Sequence, residues 1–142
     1  MPKVLAAGWS PRRDVAGASR LAIIAPMMAP APDLAIRRAV AADAARIRAL
    51  TRAAYAKWVA VIGREPLPMQ ADTERALREH AIDLLIADGA LAGLIETIMC
   101  PDHLWIENVA AAPERQGRGY GRLLLAHAER RAAGAGRVEV RL

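Results

Sequence analysis

The chain has 142 residues, of which 54% are hydrophobic and 25% are charged, proportions typical of one globular domain. Its single cysteine, Cys100, excludes an internal disulfide and a zinc site built from cysteines. The formal net charge is +5, but residues 1–32 carry four basic residues against one acidic residue, so +3 of the charge lies there. The remaining +2 on residues 33–142 does not indicate a nucleic-acid-binding surface.

The first 32 residues show no helical or strand periodicity and contain five prolines, which interrupt any long helix. We interpret residues 1–32 as a poorly ordered leader and residues 33–142 as the domain. A secretory signal is an alternative, because basic residues precede the apolar run 21–28, but that run is short and broken by Pro26. Met27 or Met28 is an alternative start. No stretch approaches the roughly 18 apolar residues that a membrane-spanning helix needs.

The domain is predicted to begin with a short strand over 34–40, followed by an amphipathic helix. Side chains at helical spacing form the core-facing stripe of this helix: Ile47, Leu50, Thr51, Ala54 and Trp58. The helix is predicted to end near Gly63, and two prolines stiffen the loop 62–69. A second short helix is predicted over 71–80, with Asp72 as its N-terminal cap.

Two apolar runs, 82–87 and 90–99, flank the pair Asp88-Gly89, which is typical of a type I′ turn. They are therefore predicted to form a β-hairpin. Gly93 within the second run indicates a bulge or the close approach of another backbone. A further strand is predicted over 104–111, because its alternate residues suit the two faces of a half-buried strand.

The segment after this strand predicts an anion-binding turn. Pro113 ends the strand, and glycine then occupies positions 117, 119 and 121, just before a helix that runs to about Gly134. Glycines let several backbone N–H groups point into one concavity, and the helix start adds its own unpaired N–H groups. Three arginines add positive charge around the turn: Arg115, Arg118 and Arg122. Such a turn fits a pyrophosphate. A last strand is predicted over 137–142.

Spacing separates the phosphate-binding motifs that could occupy this turn. A dinucleotide fingerprint needs glycine where the chain has Arg122, and the Gly-Lys-Ser/Thr of a P-loop is absent. What remains is Gln-x-x-Gly-x-Gly over 116–121, preceded by a strand that ends Asn-Val-Ala-Ala-Ala-Pro-Glu. This pattern closely resembles the acetyl-coenzyme A signature of the GNAT superfamily of N-acetyltransferases. The loop 62–69 is similar to a segment that borders the acceptor pocket in some bacterial members.

The resemblance covers residues 34–142 and implies a mixed α/β sheet of the α+β class. The fold it implies is a GNAT-like acyl-CoA N-acyltransferase fold with three layers, α/β/α. It also implies that the chain is C-terminally incomplete, because the family continues past the fifth strand with a helix and two strands. That segment often supplies a tyrosine that protonates the departing thiolate. Tyr120 is expected to fill the core instead, and the last strand is expected to be an exposed edge through which a homodimer could form.

By the same resemblance, the chain is an acetyl-CoA-dependent N-acetyltransferase. It would move an acetyl group from acetyl-coenzyme A to a primary amine by direct attack in a ternary complex. The pantetheine arm would lie along Val109, Ala110 and Ala111, and a donor near Ala110 would polarise the thioester carbonyl. The pyrophosphate would bind the residues of the glycine turn: Gln116, Gly117, Arg118, Gly119, Gly121 and Arg122.

The amine must lose a proton before it attacks, so a base is needed. Glu107 is the first candidate because it lies on the strand beside the proposed thioester, and Glu96 on the preceding strand is the second. The alternative for Glu107 is a carboxylate that only pairs with an arginine, since acetyl transfer can depend largely on positioning. His103 and His127 are expected on a loop and on a helix surface rather than in catalysis. No metal site is predicted.

Two other functions stay open at the level of the sequence. The chain could be a catalytically weak or inactive GNAT fragment that binds acetyl-CoA without turnover. It could also be a basic nucleic-acid-binding module, which salt-sensitive DNA binding would reveal. The acceptor, a small-molecule or peptide amine, is not specified by the donor scaffold. Since coenzyme A is a cytosolic metabolite, a cytoplasmic location without a membrane partner is expected.

Overall fold

The computed structural model describes residues 31–142 of the chain. These residues form one five-stranded sheet with helices packed against it. The predicted leader therefore lies, except for its last two residues, outside the described residues. The strands are β1 (Leu34–Arg38), β2 (Ala81–Ala87), β3 (Ala90–Met99), β4 (Leu104–Ala111) and β5 (Val140–Arg141). The helices are α1 (Ala44–Ile62), α2 (Leu67–Gln70), α3 (Thr73–Glu79) and α4 (Tyr120–Gly134). Single 3-10 turns span Ala41–Asp43 and Pro113–Arg115.

The strands follow one another across the sheet in chain order, β1-β2-β3-β4-β5. The first four are antiparallel, and β5 runs parallel to β4 after the crossover through α4. Successive side chains on β2 bury on opposite faces, Leu84 toward α1 and Leu85 toward α4. Helices thus cover both faces of the sheet, which confirms the predicted mixed α/β architecture with three layers. No helix within residues 31–142 is long and apolar enough to cross a membrane.

Two separate apolar clusters form the core, one on each face of the sheet. The α1 face packs aliphatic side chains of α1, α3 and the central strands: Ile47, Leu50, Ala54, Ala76, Ile82, Leu84 and Leu94. The α4 face packs a second set: Leu85, Ile95, Leu104, Ile106, Tyr120, Leu124 and Ala128. The predicted stripe of α1 is confirmed, because its first four residues are buried and only Trp58 is half-buried.

The β2–β3 hairpin turns at Asp88 and Gly89, which both have positive φ, 50° and 80°. These angles are those of the predicted type I′ turn. The strand register shifts where Leu85 pairs with Gly93 and Ile86 pairs with Leu91. A Cβ on Gly93 would lie 2.9 Å from the Ala110 carbonyl oxygen, so the predicted bulge and the predicted close approach are both present.

The predicted boundaries differ from the structure by two or more residues in four places. α3 begins at Thr73, two residues later than predicted, because Asp72 is its N-terminal cap. The loop 62–69 contains the start of a helical turn, α2, because prolines at its start fix a helical φ and lack an N–H that needs a partner. β1 ends at Arg38, two residues early. β5 includes only two of the six predicted residues, because Arg137 is held at the end of α4. Its backbone N–H donates a hydrogen bond to the Ala132 carbonyl, and its Nε donates one to the Cys100 carbonyl. The cap at Asp72 is confirmed.

A buried carboxylate ties β1 to the start of α1. Asp43 accepts hydrogen bonds at 2.8 Å from both terminal nitrogens of Arg37 and at 2.8 Å from the Val40 amide. The Arg37 guanidinium first, and the Val40 amide second, hold the pKa of Asp43 well below its usual range. The charged form of Asp43 is therefore the form that the fold stabilises.

Candidate functional site

The glycine turn links β4 to α4 along the surface. Gly117 and Gly119 have φ values of 80° and 81°, in the left-handed region that side chains with a Cβ rarely adopt. Gly121 lies inside the first turn of α4 and has no positive φ. Residues 116–119 are exposed, so the turn faces open space. The first two glycines are thus required by the backbone, whereas the third leaves room beside the helix start.

Six consecutive backbone amides at this turn have no partner within residues 31–142. The N–H groups from Gly117 to Arg122 donate to no carbonyl and to no side chain in that part of the chain. The first paired amide of α4 is that of Leu123, which donates to the Gly119 carbonyl at 3.2 Å. Free N–H groups at the start of a 15-residue helix combine with the positive end of the helix dipole. The turn is therefore built to bind an anion.

Positive side chains surround these amides. Arg118 and Arg122 are exposed and Arg115 is half-buried, and none of the three forms an ion pair in the described part of the chain. Lys57 of α1 also reaches the turn, with its Nζ 3.3 Å from Oε1 of Gln116. The sequence analysis missed Lys57, because nothing in a helical pattern shows which distant loop an exposed lysine faces.

β4 offers an open edge next to the turn. β3 pairs with β4 from Leu104 to Ala111, but β5 pairs only with Leu104 and Trp105. Within residues 31–142, the edge of β4 beyond Trp105 that faces away from β3 has no strand partner. The predicted cofactor-binding residues Val109, Ala110 and Ala111 lie on this stretch, directly before the glycine turn.

The first predicted base, Glu107, sits at an irregularity of β4. Glu96 pairs with Asn108 and Thr97 with Ile106, so Glu107 has no partner in the register and forms a β-bulge. Its side chain is exposed, and its Oε2 accepts a hydrogen bond of 2.7 Å from the indole nitrogen of Trp105. Within residues 31–142, no arginine forms an ion pair with Glu107, which was the alternative to a catalytic role.

The second predicted base, Glu96, is buried on the α1 face of the sheet with a relative exposure of 8%. Its Oε1 lies 2.5 Å from Nδ1 of His80, the residue that follows α3. Its cross-strand partner Asn108 is also buried and accepts a hydrogen bond of 2.8 Å from the Tyr55 hydroxyl of α1. Burial raises the pKa of Tyr55. His80, Asn108 and Tyr55 are functional candidates that the sequence analysis missed, because only the strand register and the packing of α1 bring them together.

The residues expected to lie outside catalysis are found away from this group. His127 of α4 contacts Asp83 at 3.0 Å, and His103 follows β3 and contacts Asp102 at 2.6 Å. Tyr120, the first residue of α4, is buried in the core cluster on the α4 face of the sheet. Its hydroxyl is the one buried side-chain polar atom of residues 31–142 without a hydrogen-bond partner. Those residues contain no cluster of three or more His, Cys, Asp or Glu side chains that could hold a metal ion.

A family model identifies the family of this chain, and solved structures match its fold. The model of the acetyltransferase (GNAT) family matches residues 45–142. A possible acetyltransferase from Clostridium difficile 630 has a similar structure, with a TM-score of 0.62 and 17% identity over 77% of this chain and 78% of that one. The PaiA N-acetyltransferase from Thermoplasma acidophilum, solved in complex with coenzyme A, has a TM-score of 0.65 and 20% identity over 73% of this chain and 74% of that one.

A third similar structure is the aminoglycoside N-acetyltransferase AAC(6')-Iy in complex with CoA. Its TM-score is 0.59, with 18% identity over 80% of this chain and 78% of that one. No curated protein sequence matches the chain. At these identities the structural matches establish a shared fold and leave the substrate open.

Proposed function

Because the chain belongs to the GNAT family of acetyltransferases, we propose that it moves an acetyl group from acetyl-coenzyme A to a primary amine. The donor and the amine would bind together, and the amine nitrogen would attack the thioester directly. The observation that carries this proposal is the row of six unpaired amides between Gly117 and Arg122. Since coenzyme A is a cytosolic metabolite, the proposal places the reaction in the cytoplasm.

The glycine turn is proposed to bind the pyrophosphate of the donor. Its free N–H groups match a group with several negatively charged oxygens, and hydrogen bonds to charged acceptors are about twice as strong as neutral ones. Arg118, Arg122 and Lys57 would add attraction that depends on ionic strength. Two structures with the same fold were solved in complex with coenzyme A, which supports this assignment.

The open edge of β4 is proposed to hold the pantetheine arm. An unpaired strand edge presents N–H and C=O groups at regular spacing, and the amide groups of pantetheine can pair with them as a further strand would. Such pairing would put the thioester near Val109, Ala110 and Ala111. A backbone N–H there would donate to the thioester oxygen, which gains negative charge during the attack.

The protonated amine must lose one proton before it attacks and a second as the amide forms. A carboxylate takes the first proton, directly or through water, and the free amine forms the new bond from nitrogen to carbon. The bond from carbon to sulfur then breaks, the nitrogen releases its second proton to solvent, and the departing thiolate takes a proton from solvent. Glu107 and Glu96 are the two carboxylates proposed for this step, because Glu107 lies on β4 two residues before Val109 and Glu96 on β3 pairs with Asn108, the residue before Val109.

The test uses the full purified chain with acetyl-CoA and a panel of amines that includes polyamines, aminoglycosides and peptides. Calorimetry measures the binding of acetyl-CoA, and mass spectrometry measures acetylated product and released coenzyme A. Binding together with product from at least one amine supports the proposal. Binding without product from any amine indicates a GNAT domain that holds acetyl-CoA without turnover. Salt-sensitive DNA binding without affinity for coenzyme A overturns the proposal.

A further inference from the structure

A small polar group interrupts the aliphatic core on the α1 face of the sheet. It consists of Tyr55, His80, Glu96 and Asn108, and it is joined by the hydrogen bonds between Tyr55 and Asn108 and between His80 and Glu96. Burial of polar side chains costs free energy unless hydrogen bonds compensate, so such a group is a candidate for function. Two of its members, Glu96 and Asn108, are a direct cross-strand pair between β3 and β4.

Only one oxygen of the Glu96 carboxylate is engaged. Oε1 contacts Nδ1 of His80, whereas Oε2 has no hydrogen-bond partner within residues 31–142. Within that part of the chain, the Tyr120 hydroxyl is the one buried side-chain nitrogen or oxygen atom without a hydrogen-bond partner. Because Glu96 Oε2 also has no partner, it is not a buried atom and keeps contact with solvent. A carboxylate can only accept here, which means that His80 donates its Nδ1 proton. Glu96 therefore has one fixed oxygen and one free oxygen.

The strand register places the side chain of Glu96 beside that of Asn108. Side chains of directly paired residues have Cβ atoms about 4.5–5.5 Å apart on the same face of the sheet. Glu96 thus lies beside Asn108, and Asn108 immediately precedes Val109, where the proposed pantetheine site begins. Glu107 lies at the bulge, and its Oε2 accepts a hydrogen bond from the indole nitrogen of Trp105. Each candidate carboxylate therefore has one engaged oxygen, but Glu107 is exposed, whereas Glu96 is buried, so packing as well as His80 fixes its orientation.

We propose that Glu96, oriented by His80, is the base that takes the proton from the acceptor amine. The proton passes to Oε2, directly or through one water molecule, and returns to solvent after the transfer. His80 is a positioning residue, because its Nδ1 proton holds Oε1 and leaves Oε2 free to accept the proton of the amine. This assignment rests on the proposed acetyl transfer and adds to it the base and the residue that orients it.

The first experiment measures kcat and the acetyl-CoA KM of the full chain with an amine that the panel identifies. Glu96→Gln keeps the size of the side chain and its contact with His80 but removes the base, so we expect kcat to fall about 100-fold, the usual contribution of a general base, with KM changed less than about twofold. Glu79→Gln is the matched control, because Glu79 is exposed at the end of α3 and pairs with Arg75. This control is expected to keep the wild-type kcat.

The second experiment tests the positioning role of His80. His80→Asn retains an N–H donor close to the position of Nδ1, whereas His80→Leu removes it. We expect His80→Leu to lower kcat about tenfold at unchanged acetyl-CoA KM, and His80→Asn to recover most of that loss, because orientation of the reacting groups is what the donor supplies. If Glu96→Gln or His80→Leu does not fold, Glu96→Asp retracts the charge by one methylene and is expected to lower kcat in the same way.

The outcomes separate this assignment from the acetyl transfer itself. Wild-type turnover with undiminished kcat in Glu96→Gln overturns the role of Glu96, and a loss confined to Glu107→Gln assigns the base to Glu107 instead. Equal activity of His80→Asn and His80→Leu overturns the positioning role. If the wild-type chain binds acetyl-CoA but acetylates no amine, the acetyl transfer fails and the base assignment falls with it.

Discussion

Replacement of Gly119 by alanine tests whether the left-handed conformation of the glycine turn serves to bind the donor. A Cβ on Gly119 meets no atom within 4 Å, so the substitution introduces backbone strain without a steric clash. The left-handed region costs an L-residue about 1–2 kcal/mol. The exposed turn can relax away from that conformation in the free protein. Because binding of the pyrophosphate requires the left-handed conformation, the same free energy is then lost from binding.

The expected result is an increase in the Kd for coenzyme A of about fivefold to thirtyfold, since 1.4 kcal/mol corresponds to a factor of ten. Isothermal titration calorimetry measures it. Gly63→Ala is the matched control, because Gly63 ends α1 with a φ of 77° and also meets no atom within 4 Å. It should reduce the free energy of unfolding by about 1–2 kcal/mol and leave the Kd unchanged. An unchanged Kd in Gly119→Ala, or an equal increase in both variants, would refute the reasoning.

Three further predictions concern the packing, the acid stability and the charge of the chain. Gly93→Ala should lower the free energy of unfolding in urea by about 1–3 kcal/mol, because the new Cβ would lie 2.9 Å from the Ala110 carbonyl oxygen; an unchanged midpoint would contradict this packing. The folded-state pKa of Asp43 lies below its unfolded value of about 3.9, so the ion pair with Arg37 should stabilise the fold above that pH and lose its effect as the pH falls. The stability difference between wild type and Asp43→Asn should therefore shrink from pH 6 to pH 2, and a constant difference would rule this out. Arg118→Gln should weaken coenzyme A binding more in 50 mM than in 500 mM salt, and a loss independent of salt would show that Arg118 does not act through its charge.

Local patterns predicted the fold wherever neighbouring residues decide the structure. The Asp88-Gly89 pair specified the hairpin because only residues that tolerate positive φ fit its turn. The alternation along 104–111 predicted the strand β4, and the glycine spacing predicted where α4 begins. Each of these features depends on a few consecutive residues, so a single sequence contains the information.

The sequence did not reveal the features that depend on distant contacts. His80 meets Glu96 only because Ala81 pairs with Thr97, a register that no local pattern specifies. The contact of Lys57 with Gln116 depends in the same way on how α1 packs against the sheet. The short β5 is a further example, because Arg137 is held by the Cys100 carbonyl across 37 positions of the chain.

The most direct test of the account is an NMR titration of the uniformly 15N-labelled full chain with coenzyme A. The account predicts that the largest amide shifts fall on residues 117–122, because their N–H groups exchange water for phosphate oxygens, while the amide of Gly63 does not move. Binding with the largest shifts elsewhere, or no shift at residues 117–122 at millimolar coenzyme A, would contradict it.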